Sequence, residues 1–173
     1  MPDDKVLYVI MCAAGVAVDA GRLVELAQDE GWIIQVVATP SALDFIDVPA
    51  LEKQTGRPVR STYRKPNEPK SPRANAIIVA PATFNTINKF AQGITDSYAL
   101  GVMAEAPGLG IPLVVLPAVN GALAKRVPYR TAVESLRAEG VHVVRTPEGN
   151  GAFPWHLALD ALSMNGAPGR AGC

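Results

Sequence analysis

Polar side chains that could bind a ligand are grouped in four short segments, each placed directly after an apolar run. The segments cover residues 12–19, 39–42, 81–86 and 117–123, and they combine small residues with serine, threonine, asparagine or aspartate side chains. Small residues let backbone N–H groups approach an anion, and a following helix directs its positive end toward it. The pattern favours a phosphorylated ligand, although each segment alone also fits an ordinary strand-to-helix turn.

Two common nucleotide-binding motifs are absent, which excludes a P-loop site and a typical dinucleotide site. No Gly-Lys-Ser/Thr follows the first apolar run, and the dinucleotide pattern G-x-G-x-x-G is missing as well. Only two histidines occur, His142 within an apolar run and His156 near the carboxyl end, and both are expected to be structural. The two cysteines, Cys12 and Cys173, lie at opposite ends of the chain, so no disulfide framework and no metal site are predicted.

The elements that must position these segments follow from hydrophobic periodicity. Short apolar runs that predict buried strands alternate with amphipathic stretches that predict helices. The predicted strands are 6–12, 32–39, 76–80, 112–116 and 141–145, and the predicted helices are 20–30, 42–45, 86–106, 129–139 and 155–164. Repeated strand–helix–strand units require right-handed crossovers and a parallel sheet covered by helices on both faces.

The predicted fold is therefore a three-layer α/β domain of the Rossmann or flavodoxin-like kind over residues 1–165, followed by a flexible tail, 166–173. In such open sheets ligands bind outside the carboxyl ends of the strands, where all four polar segments fall. Residues 54–73 do not follow this alternation of strand and helix patterns, because they hold four prolines and many basic residues without an apolar period. This loop is either a solvated excursion or a flap that faces substrate.

Composition and charge exclude several classes of protein. Hydrophobic residues make up 49% and charged residues 18% of the 173 residues, which is typical of a globular domain. Sixteen basic and sixteen acidic side chains cancel, so no overall field attracts nucleic acid or an anionic membrane. The first apolar run is too short to span a bilayer and lacks the basic flank of a signal peptide. We expect a cytoplasmic protein.

The third and fourth polar segments carry a recognisable pattern. Pro-Ala-Thr-Phe-Asn-Thr at 81–86 is followed by Lys89 and by Gly-Ile-Thr-Asp at 93–96, and Pro-Ala-Val-Asn occupies 117–120. Together they resemble the motifs of the homo-oligomeric flavin-containing cysteine decarboxylases, whose usual forms are Pro-Ala-Ser/Thr-Ala-Asn-Thr and Pro-x-Met-Asn. The resemblance extends over about residues 5–145, although the glycine-rich segment at 13–17 matches only loosely.

The resemblance implies FMN as the cofactor and a role for each matching position. The FMN phosphate and ribityl chain would be held by Gly15, Val16, Thr39 and Ser41. The isoalloxazine ring would be lined by Ala82, Thr83, Asn85, Thr86, Asp96 and Ser97. Asn120 would bind the substrate carboxylate. Helix capping is the alternative role for Thr39 and Thr86, and a solvent-exposed helix face is the alternative for Asp96.

One expected residue is missing. Family members carry an essential histidine shortly before the Pro-Ala-Ser/Thr motif, but residues 62–75 contain no histidine, and Asn67 is the nearest counterpart by position. An asparagine amide cannot take up a proton at neutral pH. Asn67 and Asn120 are thus the candidate catalytic residues, and the usual proton transfer of the family is in doubt.

The resemblance implies oxidative decarboxylation of a cysteine carboxylate, in which the flavin takes a hydride from Cβ and the thioaldehyde then loses CO₂ to leave an enethiol. The leading substrate is the C-terminal cysteine of a peptide. Alternatives are phosphopantothenoylcysteine in coenzyme A biosynthesis, a non-catalytic FMN-binding or regulatory subunit, and a prenyl-FMN synthase, which would need a basic prenyl phosphate site. A homotrimer, or a homododecamer built from trimers, is expected, with FMN at the subunit interface.

Overall fold

The sheet has five parallel strands in the order β2-β1-β3-β4-β5. The structure is a computed structural model that describes residues 4–147, 149 and 151–165. The strands are β1 Val6–Met11, β2 Ile33–Ala38, β3 Ala76–Ala82, β4 Leu113–Pro117 and β5 His142–Val143. This order reverses at β1, between β2 and β3, as in flavodoxin-like doubly wound sheets, so the predicted fold class is confirmed.

Helices cover both faces of this sheet. They are α1 Gly21–Asp29, α2 Val48–Thr55, α3 Phe84–Ala91, α4 Tyr98–Leu109, α5 Gly121–Ala124, α6 Val127–Ala138 and α7 His156–Asn165. Two 3-10 turns, Gly15–Asp19 and Pro40–Asp44, follow β1 and β2. Within the described residues no helix is long and apolar enough to cross a membrane.

Two apolar cores lie on opposite faces of the sheet. Alternate residues of β1 point to opposite sides, so Leu7 and Val9 belong to the core under α1, α2 and α7. Tyr8 and Ile10 belong to the core under α3, α4 and α6. Because both faces are covered, every residue of β1 is buried. This burial explains the continuous apolar run, which lacks the alternation of a half-exposed strand.

The structure corrects three predicted elements. The single helix predicted over 86–106 is two helices, because Gly93 adopts a left-handed backbone (φ 74°) that ends α3 and turns the chain. The helix predicted at 42–45 is a 3-10 turn, and an additional helix, α2, begins after the capping residue Asp47. The strand predicted over 141–145 pairs over only two residues of β5.

The basic, proline-rich loop is tied to the sheet at both ends. Arg60 forms a parallel bridge with Val37, in which the Arg60 carbonyl accepts from Ala38 N at 2.8 Å. Farther along, the Tyr8 hydroxyl donates to the Pro72 carbonyl at 2.6 Å, while residues 62–70 between these anchors are exposed. The loop therefore lies over the edge of the sheet on the α4 side. The predicted tail, 166–173, falls outside the described residues.

Candidate functional site

A cavity of about 350 Å³ opens at the carboxyl ends of β1, β2 and β3. Its size lies in the usual range of small-molecule sites, about 300–1,000 Å³. Among its lining residues are seven of the predicted cofactor-binding residues, contributed by three separate loops: Thr39, Ser41, Thr83, Asn85, Thr86, Asp96 and Ser97. The fold thus brings together side chains that are up to 58 positions apart in the sequence.

Three hydroxyl groups around this cavity are also helix caps. The Thr39 oxygen accepts from Ala42 N at 3.3 Å, Thr83 accepts from Thr86 N at 3.3 Å, and Ser97 accepts from Leu100 N at 3.2 Å. Each cap marks the amino end of a helical segment, so the positive ends of three segments meet here. Capping and ligand binding are compatible roles, because a hydroxyl that accepts in a cap can still donate.

An ion pair stands at the rim of the cavity. The Lys89 ammonium donates to the Asp96 carboxylate at 2.6 Å, and the side chains remain 30% and 55% exposed, respectively. Lys89 was quoted in the sequence pattern but was not predicted as a site residue. The sequence feature that could have identified Lys89 is the oppositely charged Asp96, seven positions later. The pair joins the end of α3 to the segment before α4 and so holds the two helices that flank the cavity.

Cys12 lies beneath the site and is fully buried. Burial raises the pKa of its thiol, and hydrogen bonds to Thr86 and Thr83 offset part of that rise. The group is therefore a neutral thiol at physiological pH and serves as packing beneath the cavity floor. A nucleophilic role would require the thiolate.

Five predicted site residues do not line this cavity. Gly15 and Val16 lie in the 3-10 turn after β1, where Val16 faces a neighbouring cavity, and Ala82 is buried at the end of β3. Asn120 is exposed after β4, and its Oδ1 accepts from Leu123 N at 2.9 Å, which caps α5. Asn67 lies in an exposed turn of the basic loop.

No histidine takes the place of the missing one within the cavity. His142 is half-buried in the edge strand β5, and His156 is the exposed first residue of α7. In the part of the chain that the structure describes, no cluster of three histidine, cysteine or acidic side chains could hold a metal ion. The chemistry of the site is that of hydroxyls, amides and one ion pair.

Comparison with known proteins decides the family. The family described as Flavoprotein matches residues 2–161, which is nearly the whole chain. The chain belongs to the flavoprotein family. This assignment agrees with the resemblance found in the sequence, and it confirms the prediction of a flavin cofactor.

Two curated relatives match parts of this flavoprotein. A dihydromethanopterin reductase (acceptor) of Methanosarcina mazei is 36% identical over 58 residues, 33% of this chain and 24% of the relative. A probable phosphopantothenoylcysteine decarboxylase of Streptococcus mutans serotype c is 29% identical over 97 residues, 52% of this chain and 54% of the relative. The chain thus matches only about a quarter and about half of the lengths of these relatives.

Solved structures share the fold along nearly the whole chain. A PPC decarboxylase complexed with pantothenoylaminoethenethiol has a TM-score of 0.79 at 20% identity, covering 94% of this chain and 98% of that one. The cypemycin decarboxylase has a TM-score of 0.74 at 24% identity, with coverage of 96% and 97%. At these identities the similarity establishes the common fold.

The residues of the cavity fit a flavin. An isoalloxazine ring has apolar faces and a polar edge, and here Pro40 and Leu100 supply apolar surface beside the hydroxyls of Thr83 and Ser97. The cap residue Thr39 and its neighbour Ser41 offer hydroxyl donors at the start of a helical turn, a type of site that accepts phosphate. Buried Thr86 closes the floor of the cavity.

Proposed function

We propose that this flavoprotein binds FMN in the cavity at the carboxyl ends of β1, β2 and β3 and decarboxylates a cysteine carboxylate oxidatively. The observation that carries the proposal is the convergence of seven side chains from three loops on one cavity. These side chains come from the same segments whose sequence resembles the decarboxylase motifs. Bound FMN supplies the two-electron oxidation of the cysteine side chain that makes the loss of CO₂ possible.

Asn120 is the residue proposed to hold the substrate carboxylate. Its Oδ1 is engaged in the cap of α5, whereas its Nδ2 donates to no group within the described residues. A neutral amide can orient a carboxylate without the strong stabilisation that a cation would give. This weaker stabilisation favours the reaction, because the negative charge leaves the carboxylate as CO₂ departs, and a cation would stabilise the ground state.

Proton transfer in this chain needs an explanation without histidine. Asn67, the nearest counterpart by position of the family's histidine, is exposed and carries no titratable proton. We propose that the substrate thiolate and bound water exchange the protons of the reaction. This route gives Asn67 at most a hydrogen-bonding role.

Two substrates of the same chemistry are supported. The fold shared with the cypemycin decarboxylase supports the C-terminal cysteine of a peptide. The partial sequence match to a probable phosphopantothenoylcysteine decarboxylase supports phosphopantothenoylcysteine equally well. Both substrates end in a cysteine carboxylate, so the same FMN cavity would serve either one. Asn120, which lies after β4 and outside the cavity lining, is proposed to hold the carboxylate in both cases.

The proposal is tested with the purified protein and both substrates. The protein should be yellow and should release FMN, and no FAD, on denaturation, as chromatography of the released flavin would show. With air as the oxidant that regenerates the flavin, mass spectrometry should then detect a product that lacks one CO₂ and two hydrogen atoms for at least one substrate. If the reduced flavin instead returns its two electrons to the enethiol, the product lacks one CO₂ alone, and this also counts as turnover. A colourless protein that takes up no added FMN would remove the cofactor proposal. A yellow protein that turns over neither substrate would favour a non-catalytic flavin carrier.

A further inference from the structure

A second cavity, of about 330 Å³, lies between the basic loop and the amino end of α4. Three of its lining side chains are cationic and three are tyrosines: Arg60, Arg64, Lys70, Tyr8, Tyr63 and Tyr98. We call it the basic pocket. None of these residues lines the first cavity or takes part in the proposed decarboxylation.

The charges of the basic pocket are only partly balanced. Among the described residues, Glu68 is the one carboxylate paired with these cations, and its Oε2 lies 3.4 Å from Arg60 Nη1. Arg64 donates only to main-chain carbonyls, and Lys70 forms no ion pair within the described residues. The surplus is therefore positive, and it favours an anionic ligand.

Arg60 carries a donor that the protein itself does not satisfy. Its side chain is 15% exposed, and its buried Nε has no hydrogen-bond partner in the described part of the chain. A buried donor without a partner lowers the stability of the fold by more than a typical hydrogen bond raises it. Such a group in a native protein therefore usually has a functional role, such as binding a ligand. An acceptor oxygen placed in the pocket would satisfy this nitrogen.

The tyrosines fix the shape of the basic pocket. The rings of Tyr63 and Tyr98 pack edge to face, with centroids 5.2 Å apart. The Tyr63 hydroxyl lies so close to Gly101 in α4 that any Cβ at that position would collide with it. Tyr63 thus contacts α4 next to Arg64 in the chain, while 63% of Tyr63 remains exposed.

The basic pocket is also a direct neighbour of the first cavity. The Arg60 carbonyl accepts from Ala38 N, the residue before Thr39, and Tyr98 follows Ser97 in the chain. Thr39 and Ser97 both line the first cavity. A small molecule anchored in the basic pocket could therefore extend toward the flavin site.

We propose that the basic pocket binds the phosphate group of a phosphomonoester other than the flavin. A phosphate dianion offers three acceptor oxygens, which suit two guanidinium groups, one ammonium group and the Tyr98 hydroxyl better than a single carboxylate does. For phosphopantothenoylcysteine, which is itself a phosphomonoester, the inference rests on the proposed function. For any other phosphomonoester it is separate, because phosphate can bind here whether or not the chain acts on cysteine.

The test is calorimetric titration of the protein, as purified with its flavin, with phenyl phosphate and with inorganic phosphate. Lys70→Gln should weaken phenyl phosphate binding by about tenfold, the effect of losing one charge-assisted contact. Lys65→Gln is the matched control, since it removes the same charge from the same loop without lining the pocket. Its affinity should stay within about twofold of the parent. Tyr98→Phe, which keeps the ring, should weaken binding by about threefold.

Three outcomes would overturn the proposal. The first is no heat of binding for either probe to the unmodified protein, and the second is an equal loss of affinity in both lysine variants. The third is a Lys70→Gln protein that binds FMN less tightly but riboflavin normally, which would assign the pocket to the flavin's own phosphate. The readout is heat rather than turnover, so failure of the decarboxylation proposal leaves this result interpretable.

Discussion

Asn120 combines a structural contact with a proposed role in substrate binding, and the two roles can be measured separately. Asn120→Ala removes the cap of α5 and should lower the free energy of unfolding by about 1 kcal/mol. It also removes the amide that orients the carboxylate, so turnover should fall by about 100-fold. Flavin content should not change. All three quantities are measured on one preparation.

Asn120→Asp is the control for this prediction. Aspartate keeps an oxygen that can accept from Leu123 N, so the melting temperature should stay near that of the parent protein. The added negative charge repels a substrate carboxylate, so turnover should still fall. Normal turnover per folded molecule in Asn120→Ala, together with a lowered melting temperature, would limit Asn120 to its capping role.

Buried acids make the stability of this protein sensitive to alkaline pH. Burial raises the pKa of the Cys12 thiol above its ordinary value of 9.0, and it raises the pKa of Tyr8, Tyr98 and Tyr129 above 10.0. The fold thus favours the neutral forms. Their contribution is complete below the pKa of the unfolded chain and is lost as the pH rises through the folded value.

We therefore expect urea midpoints that are level from about pH 7 to about pH 8.5 and that fall at about pH 10. Cys12→Ala should lose less stability across that alkaline range than the parent does, because one buried acid has been removed. The tyrosines would still cause part of the fall. An identical fall in the two proteins would show that ionisation of Cys12 contributes nothing.

At the scale of elements, the turn between α3 and α4 decides the shape of the first cavity. Gly93 adopts φ 74°, a backbone that costs a residue with a Cβ about 1–2 kcal/mol. Gly93→Ala should lower the free energy of unfolding by about that amount, as measured by urea denaturation. It should also weaken flavin binding, because Lys89 and Asp96 flank the turn.

Gly108 provides the opposite case within α4. Its backbone has no positive φ, and a Cβ there would meet nothing within 4 Å. Gly108→Ala should therefore raise the free energy of unfolding by about 0.5–1 kcal/mol, the difference in helix propensity. If Gly93→Ala and Gly108→Ala changed the free energy of unfolding equally, the left-handed backbone of Gly93 would not be needed for the turn between α3 and α4.

For the whole molecule, apolar side chains are exposed at the edge that carries the site. Val18 and Phe45, in the turns after β1 and β2, are 67% and 44% exposed. We propose that neighbouring subunits cover them in the trimer or dodecamer that the family resemblance implies, with FMN at the interface. Light scattering at micromolar concentration should therefore give a mass of three subunits or a multiple of three.

A substitution tests whether this edge forms the interface. Phe45→Asp should dissociate the assembly and release flavin, because a buried carboxylate would lack a partner. Leu109→Asp is the control, since Leu109 is also exposed, at 56%, but lies at the far end of α4 from the cavity. A parent protein that is a monomer would contradict the oligomer proposal.

The sequence alone determined the layers and the place of the site. Continuous apolar runs predict strands buried on both faces, and the crossover rule then makes the sheet parallel, so all strand ends gather at one edge. This reasoning, with the family resemblance, was enough to identify Thr39, Thr83 and Ser97 as cavity residues. It also anticipated helix capping as the competing role of Thr39.

Only the tertiary structure decided the features that depend on residues far apart in the chain. Periodicity continues through Gly93, so the break between α3 and α4 depended on its left-handed backbone. The basic pocket joins Arg60, in a loop without periodicity, to Tyr98, the first residue of α4 and 38 positions away. Local patterns record which face of an element is buried, whereas the meeting of two distant side chains depends on packing in three dimensions.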